Sequence, residues 1–238
     1  VICAHGLHEH ALRHYKIAAK LCEEGMAVYI PEHGAHGKSY GTRGLIESAD
    51  ALVEDFCASV DYVKSLHPTL PTVLLAHSMG TMVGLAAIGR LPKDTFRAAV
   101  FSATAFVPGF ASASPFGCSC LHPLTTTSIA DWMTGCLAYC DPKGPAAPLM
   151  LSYLRTDLEQ IELIEHDPWQ YKGWVMNKTA AEFLKLKKTA LSSLETMSTP
   201  FLALHATEDK ITLLKGAEML MENATYVSQK RLIQSDCL

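Results

Sequence analysis

The sequence lacks a surplus of basic residues, a long apolar run and any repeated or low-complexity tract. Its 238 residues carry 20 Lys and Arg against 24 Asp and Glu, so the formal net charge is −4. This balance argues against a nucleic-acid-binding protein, which normally concentrates basic residues on one face. No apolar run approaches the roughly 18 residues of a membrane-spanning helix, and the first residues do not resemble a signal peptide.

The eight cysteines do not form a disulfide framework or a zinc pattern. Cys3, Cys22 and Cys57 fall within apolar segments, where a free thiol packs as a small hydrophobic group. The Cys118-x-Cys120 and Cys136-x3-Cys140 spacings lack the second C-x2-C or H-x3-H pair that would complete a zinc site. We therefore expect no metal and no cofactor, and a reducing, cytoplasmic location.

Short apolar runs alternate with longer amphipathic segments along the chain. The predicted strands are Val1–Ala4, Met26–Ile30, Thr72–Ala76, Ala98–Phe101 and Pro200–Leu204. The predicted helices are His14–Glu24, Glu47–His67, Met79–Arg90 and Leu213–Asn223. This alternation favours an α/β fold, with a mostly parallel sheet, helices on both faces and ligands at the carboxyl ends of the strands. We assign residues 1–238 to one domain.

One long segment interrupts the alternation. From Thr104 to Lys172 no strand–helix unit is recognisable, yet the segment is too apolar for a disordered linker. An apolar insertion after a sheet strand is typical of a cap over an active site. The alternative is a small helical layer without a binding role.

A serine follows one predicted strand directly. The strand Thr72–Ala76 runs into His77 and Ser78, and the helix predicted from Met79 begins at once. This arrangement is typical of a nucleophile elbow, a strained turn that presents a serine hydroxyl at the top of a sheet. The alternative is that Ser78 only caps the helix that follows it.

Two further loops follow predicted strands. The loop after the first strand contains Gly6, and backbone N–H groups of Leu7 and Met79 could stabilise a developing oxyanion. A competing interpretation, a metal site built from the several histidines around this loop, is disfavoured because a turning loop does not hold them on one face. The loop after Leu204 contains Glu208 and Asp209, either of which could be the acid that orients a catalytic histidine.

These motifs, taken in order, resemble those of one enzyme family. They are HGLHEH at residues 5–10, PEHGAHGKSYG at 31–41, AHSMG at 76–80 and HATEDKIT at 205–212, with TRG at 42–44, HDP at 166–168 and TP at 199–200. The chain is similar over nearly its whole length to the monoglyceride lipase group of α/β-hydrolases, within the serine aminopeptidase S33 (hydrolase-4) relatives. The resemblance implies an α/β-hydrolase fold and a serine esterase activity.

The resemblance also implies residue roles. Ser78 would be the nucleophile, Asp209 the triad acid, and Leu7 and Met79 the oxyanion donors. Arg13 and His77 would lie near the polar head of the substrate. Five positions depart from the family pattern and indicate a divergent member: His8, Ala76, Thr81 and Ala206 stand where the family has Gly, and Glu32 where it has Asp.

The histidine that completes a catalytic triad is missing after Asp209. All eleven histidines precede it in the sequence, whereas the family places this residue about thirty positions after the acid, following one more strand. The tail from Lys230 to Leu238 is typical of that last strand. We therefore expect the sequence to be incomplete at both termini, with the histidine just after Leu238. Without this histidine, the chain is expected to be nearly inactive.

The expected function is hydrolysis of monoacylglycerol-type lipid esters through an acyl-enzyme. The insertion would bind the acyl chain and could bring the protein to a membrane surface, as a peripheral contact. Two alternatives remain: a catalytically dead binding protein for lipids or partners, and another S33-type carboxylesterase, lysophospholipase or peptidase.

Overall fold

The structure is a computed structural model, and it describes residues 1–109, 128–148 and 158–236. Its strands are β1 (Ile2–Ala4), β2 (Val73–His77), β3 (Ala98–Ser102), β4 (Pro145–Ala147), β5 (Val175–Met176), β6 (Phe201–Ala206) and β7 (Lys230–Ser235). Its α-helices are α1 (Tyr15–Glu23), α2 (Ala49–Leu66), α3 (Met79–Arg90), α4 (Ser128–Cys140), α5 (Leu158–His166), α6 (Asn177–Leu194) and α7 (Lys215–Asn223). A short 3-10 helix, Ala11–His14, precedes α1.

A parallel sheet forms the centre of the described structure. Its five strands follow the order β1-β2-β3-β6-β7, which confirms the predicted parallel α/β fold. The register places Ala76 of β2 between Ala4 of β1 and Phe101 of β3, and all three residues are buried. Because the strands are parallel, the loops that leave β1, β2 and β6 meet at one edge of the sheet.

The strand predicted over Met26–Ile30 is reduced to a single paired residue in the structure. Only Tyr29 pairs with the sheet, through a parallel bridge to Ile2. Its N–H donates to the Val1 carbonyl oxygen at 2.9 Å, and its carbonyl oxygen accepts from the Cys3 N–H at 2.8 Å. Pro31 follows two residues later and has no N–H to donate, so the ladder does not continue.

Helix α6 was not predicted, although it packs against α3 at the centre of the molecule. Phe183, Leu186, Ala190 and Leu194 are buried along one face at a spacing of three or four residues. This stripe is visible in the sequence, but the alternating lysines and threonines lower the mean hydropathy of the segment.

Helix α6 also anchors the start of α2. The Glu182 carboxylate is buried and accepts the Ala49 N–H at 2.9 Å, while Lys178 and Lys185 each lie 2.8 Å from its other oxygen. Burial alone would raise the Glu182 pKa, but the two lysines and the Ala49 N–H outweigh burial and lower that pKa. One turn earlier, the Thr179 hydroxyl donates to the Gly44 carbonyl oxygen at 3.0 Å.

The described parts of the predicted insertion contain helices α4 and α5 and the short strand β4, which pairs antiparallel with β5 just beyond it. Residues 104–107 are buried and belong to the main core, and α4 packs against α6. Residues 110–127, 149–157 and 237–238 lie outside the described residues, as do the Cys118–Cys120 pair and many of the insertion's apolar residues. Across the described ranges, no helix is long and apolar enough to cross a bilayer.

Candidate active site

Ser78 occupies a strained turn between β2 and α3. Its backbone has φ 52° and ψ −123°, a conformation that side-chain-bearing residues rarely adopt. The turn is held by the Ser78 N–H, which donates to the Ser102 carbonyl oxygen at 2.9 Å, one strand away. The Ser78 side chain does not cap α3, so the helix-cap interpretation of this residue is wrong.

Two glycines permit this turn to form against the sheet. A Cβ atom at Gly80 would lie 2.1 Å from the Ala4 carbonyl oxygen, so only glycine allows the first turn of α3 to approach the end of β1 this closely. Gly84 lies one turn later on α3, and a Cβ there would be 2.7 Å from Leu74 Cδ2. The missing side chain at Gly84 therefore leaves room for the Leu74 side chain of β2 to pack against α3.

Thr81 braces the elbow from inside the protein. Its hydroxyl donates to the Ser78 carbonyl oxygen at 2.7 Å and accepts the Ala105 N–H at 3.5 Å. Thr81 is completely buried, and its own N–H also donates to the Ser78 carbonyl oxygen, at 2.9 Å. A glycine, the family residue at this position, could not form the side-chain bonds.

The loop after β1 lies directly against the elbow. A Cβ atom at Gly6 would be 3.1 Å from the Ser78 Cβ, so glycine keeps the space in front of the serine open. Leu7 and Met79 are both buried, and among the hydrogen bonds of the described residues neither backbone N–H is used as a donor. Two backbone N–H groups without a hydrogen-bond partner among the described residues therefore lie beside the loop–elbow contact.

Glu9 is a functional residue that the sequence analysis missed, although it belongs to the HGLHEH motif. Its carboxylate accepts the Gly6 N–H at 2.9 Å and lies 3.3 Å from His14 Nε2 and 3.9 Å from His77 Nε2. Burial opposes ionisation of Glu9, but His77, His14 and Arg13 together outweigh it and hold the Glu9 pKa well below its ordinary value. The structure thus brings Arg13 and His77 to one carboxylate beside Ser78.

Asp209 is held rigidly in the turn after β6. Its Oδ1 accepts the N–H groups of Ile211 and Thr212 at 2.8 and 2.9 Å, and its Oδ2 accepts the Thr212 hydroxyl at 2.7 Å. Glu208 is exposed, which favours Asp209 over Glu208 as the acid of this loop. His205 Nε2 lies 3.9 Å from Asp209 but donates instead to the Thr212 carbonyl oxygen at 2.7 Å.

Four buried histidines cluster on the loop after β1 and on the loop after Pro31: His5, His8, His33 and His36. The His5 ring donates from Nδ1 to the Gly6 carbonyl oxygen at 2.9 Å and accepts the His33 N–H at Nε2, at 3.1 Å. Burial lowers the pKa of His5 and of His8 to about 3, and it also lowers the pKa of His33 and His36. Within the described ranges, no group of histidines, cysteines and acids has the geometry to hold a metal ion.

The topology relates these groups to one another. Ser78 follows β2 and Asp209 follows β6, so only β3 separates the strands that carry them. The end of β7 lies beside the acid loop, because the Thr207 N–H donates to the Ser235 carbonyl oxygen at 2.8 Å. Ser235, the last residue of β7, therefore lies beside the loop that carries Asp209.

The parallel sheet presents a serine on a strained strand-to-helix turn. A glycine-containing loop and a hydrogen-bonded aspartate lie at the ends of other strands of the same sheet. This combination is that of an α/β-hydrolase. The chain belongs to the serine aminopeptidase S33 (Hydrolase_4) family, whose model matches residues 1–235. A monoacylglycerol lipase from Mycolicibacterium smegmatis is 28% identical over 222 residues, which cover 93% of this chain and 74% of the relative. A monoglyceride lipase from Rattus norvegicus is 25% identical over 224 residues, covering 94% of this chain and 69% of the relative.

Solved structures share the fold. The monoacylglycerol lipase of Paleococcus ferrophilus superimposes with a TM-score of 0.78 at 22% identity, covering 98% of this chain and 82% of that protein. A soluble variant of the monoglyceride lipase of Saccharomyces cerevisiae, in complex with a substrate analog, gives a TM-score of 0.77 at 16% identity, covering 98% and 76%. The α/β-hydrolase fold predicted from the sequence is confirmed, and the family relationship supports a lipase- or esterase-type hydrolase.

Proposed function

We propose that this protein is a serine ester hydrolase that cleaves monoacylglycerol-type lipid esters through an acyl-enzyme. The observation that carries the proposal is the strained backbone of Ser78, pressed against a loop whose glycine leaves the serine open. Strain of this kind persists only where surrounding contacts enforce it, and it is concentrated at functional sites.

The chemistry begins with attack of the Ser78 hydroxyl oxygen on the ester carbonyl carbon, while a base takes the hydroxyl proton. The Leu7 and Met79 N–H groups donate to the resulting oxyanion. Two preorganised donors typically accelerate such a step by several orders of magnitude. The C–O bond then breaks, the alcohol leaves with the proton, and water releases the fatty acid from Ser78 by the same steps.

The base is proposed to be a histidine on the segment that leaves β7, oriented by Asp209. The Thr207–Ser235 hydrogen bond supports this, because it directs that segment past the acid loop. None of the eleven histidines lies between β7 and Leu238. His205 is a poor substitute, since it is buried and already bonded to Thr212.

The polar cluster beside Ser78 supports a glycerol ester as substrate. Arg13, His77 and the Glu9 carboxylate offer donors and an acceptor for alcohol hydroxyl groups on one side of the nucleophile. The relatives named above are monoacylglycerol lipases, which agrees with this choice. The acyl chain would lie against the predicted insertion, residues 104–172.

The test is fluorophosphonate labelling and monoolein hydrolysis by the 238-residue chain, with and without added imidazole, against Ser78→Ala. Activity that depends on Ser78 without imidazole assigns the base to a histidine of this chain. Activity that appears only with imidazole, which can replace an absent histidine base, assigns it to a residue outside the chain. If Ser78 is neither labelled nor required under either condition, the proposal is wrong and the lipid-binding alternative takes its place.

A further inference from the structure

The last part of the insertion is hydrogen-bonded directly to the loop that follows β1, residues 5–10. This loop carries Leu7 and is named the oxyanion loop after its proposed role. Asp167 follows helix α5, and its Oδ2 lies 2.6 Å from His10 Nε2. Burial opposes ionisation of Asp167, but the hydrogen bonds from His10 and from the Trp169 N–H outweigh it, and its pKa is lowered. A carboxylate–imidazole contact this short is a charge-assisted hydrogen bond, the stronger class in proteins.

A second link lies four residues further along the chain. The Tyr171 N–H donates to the His8 carbonyl oxygen at 3.3 Å, and the Tyr171 and His8 rings form a T-shaped contact with centroids 4.6 Å apart. His8 has φ 65°, a backbone conformation that favours glycine. Its ring is buried, so the contact with Tyr171 helps to hold the loop in this strained form.

The same segment is fixed on its other side to the loop that precedes α2. The Lys38 ammonium and the Arg43 guanidinium lie 5.3 and 5.5 Å from the centroid of the Trp169 ring, within cation–π range. The Tyr171 ring packs over Gly44, where a Cβ would be only 2.6 Å from it. One face of the segment therefore rests on a loop anchored by α6, and the other face holds the loop that carries Leu7.

We propose that residues 167–171 form a clamp that positions the oxyanion loop, with Asp167 and Tyr171 acting through His10 and His8 on the Leu7 N–H. The proposal rests on the assignment of Leu7 to the oxyanion hole. Because Asp167 follows α5 directly, a displacement of α5 would move Asp167. The contact between Asp167 and His10 would pass this movement on to the oxyanion loop. The end of the insertion then affects catalysis by holding the loop that carries Leu7.

The test measures hydrogen exchange of the peptide 5–14 and the labelling rate of Ser78 in Asp167→Ala, His10→Ala and the double variant. Exchange of this peptide should rise and labelling should fall by about tenfold in each single variant, measured at a temperature well below the midpoint of global unfolding of that variant. The double variant should be no worse than either single one, because both break the same contact.

Two matched controls separate positioning from general damage. Tyr171→Ala should behave like Asp167→Ala, whereas Tyr171→Phe keeps the ring edge and should behave like the parent. Lys230→Met removes the hydrogen bonds of the Lys230 ammonium to the Met221 and Ala224 carbonyl oxygens, at the opposite side of the sheet from β1, and should leave exchange of residues 5–14 unchanged.

The outcomes are distinguishable from those for the proposed function. Unchanged exchange of the 5–14 peptide in Asp167→Ala overturns the clamp, whatever the labelling shows. Faster exchange of that peptide in a chain whose Ser78 is labelled neither with nor without imidazole keeps the clamp and overturns the hydrolase proposal. Faster exchange with unchanged labelling overturns the link to the oxyanion hole.

Discussion

The Thr81 hydroxyl donates a hydrogen bond of 2.7 Å to the Ser78 carbonyl oxygen and so ties the nucleophile turn to the first turn of the helix it starts. In the family pattern that the sequence resembles, this position is glycine, which has no hydroxyl to form such a bond.

Replacing Thr81 with Val keeps the shape of the side chain but removes the hydroxyl. The Ala105 N–H loses its acceptor, so the free energy of unfolding should fall by about 1–2 kcal/mol. Urea unfolding followed by circular dichroism measures this change. Thr81→Ser, which keeps the hydroxyl, should stay close to the parent, and equal losses in the two variants would contradict the role of the bond.

Replacing Glu9 with Ala should lower the labelling rate of Ser78 by about tenfold or more, because the Gly6 N–H loses the acceptor that shapes the oxyanion loop. Glu9→Gln retains an acceptor and should stay within about threefold of the parent. The second-order rate constant for fluorophosphonate labelling provides the comparison. Equal losses would show that the charge of Glu9 matters more than the bond to Gly6.

The four buried histidines predict sensitivity to acid. Their pKa values are lowered in the folded chain, to about 3 for His5 and His8, while the unfolded chain takes up protons near pH 6.5. Their contribution to stability is therefore complete above pH 6.5 and is lost as the pH falls. His5 and His8 each cost about 1.4 kcal/mol per pH unit between pH 6.5 and about 3, and His33 and His36 act in the same direction, so the free energy of unfolding should fall steadily as the pH drops below 6.5.

One variant isolates a single histidine of this set. His8→Gly suits the left-handed backbone at that position and should reduce the dependence of the unfolding free energy on pH between 5.5 and 6.5. His166→Gln, at an exposed position, should leave this dependence unchanged. Equal slopes for the parent and His8→Gly would show that His8 is protonated in the folded chain.

The described part of the insertion exposes large apolar residues on α4. Leu137 is 51% and Tyr139 is 89% exposed. If the insertion meets a lipid surface, the double variant Leu137→Glu with Tyr139→Glu should bind phosphatidylcholine vesicles containing monoolein at least about tenfold more weakly. Co-sedimentation measures this, with Tyr62→Glu on α2 as the control; equal binding of all three proteins would exclude α4 as the contact.

Most of the correct predictions depend on sequence patterns formed by neighbouring residues. The elbow could be predicted because strand, serine and helix follow one another directly, so their geometry depends on neighbouring residues. Helix α3 begins and ends where the sequence indicated, at Met79 and Arg90. In the same way, the turn at Asp209 is built by hydrogen bonds from residues within three positions of it.

The features that were missed depend on distant parts of the chain. Glu9 acquires its role from His77, and His10 from Asp167, which lies 157 residues away in the sequence. In the segment Met26–Ile30, Tyr29 alone pairs with the sheet, because Pro31 has no N–H to continue the ladder. No local pattern encodes such pairings, because they arise only when the sheet brings its loops to one edge.

The contact between Glu182 and Ala49 has a consequence for synthesis, since 133 residues separate the two. At about 5–20 residues per second, Glu182 is added about 7–27 s after Ala49. During this interval the nascent chain already contains β1, β2 and β3, but the face of α3 that α6 will cover stays exposed. We expect this apolar surface to be the one that a chaperone shields on the ribosome until α6 emerges.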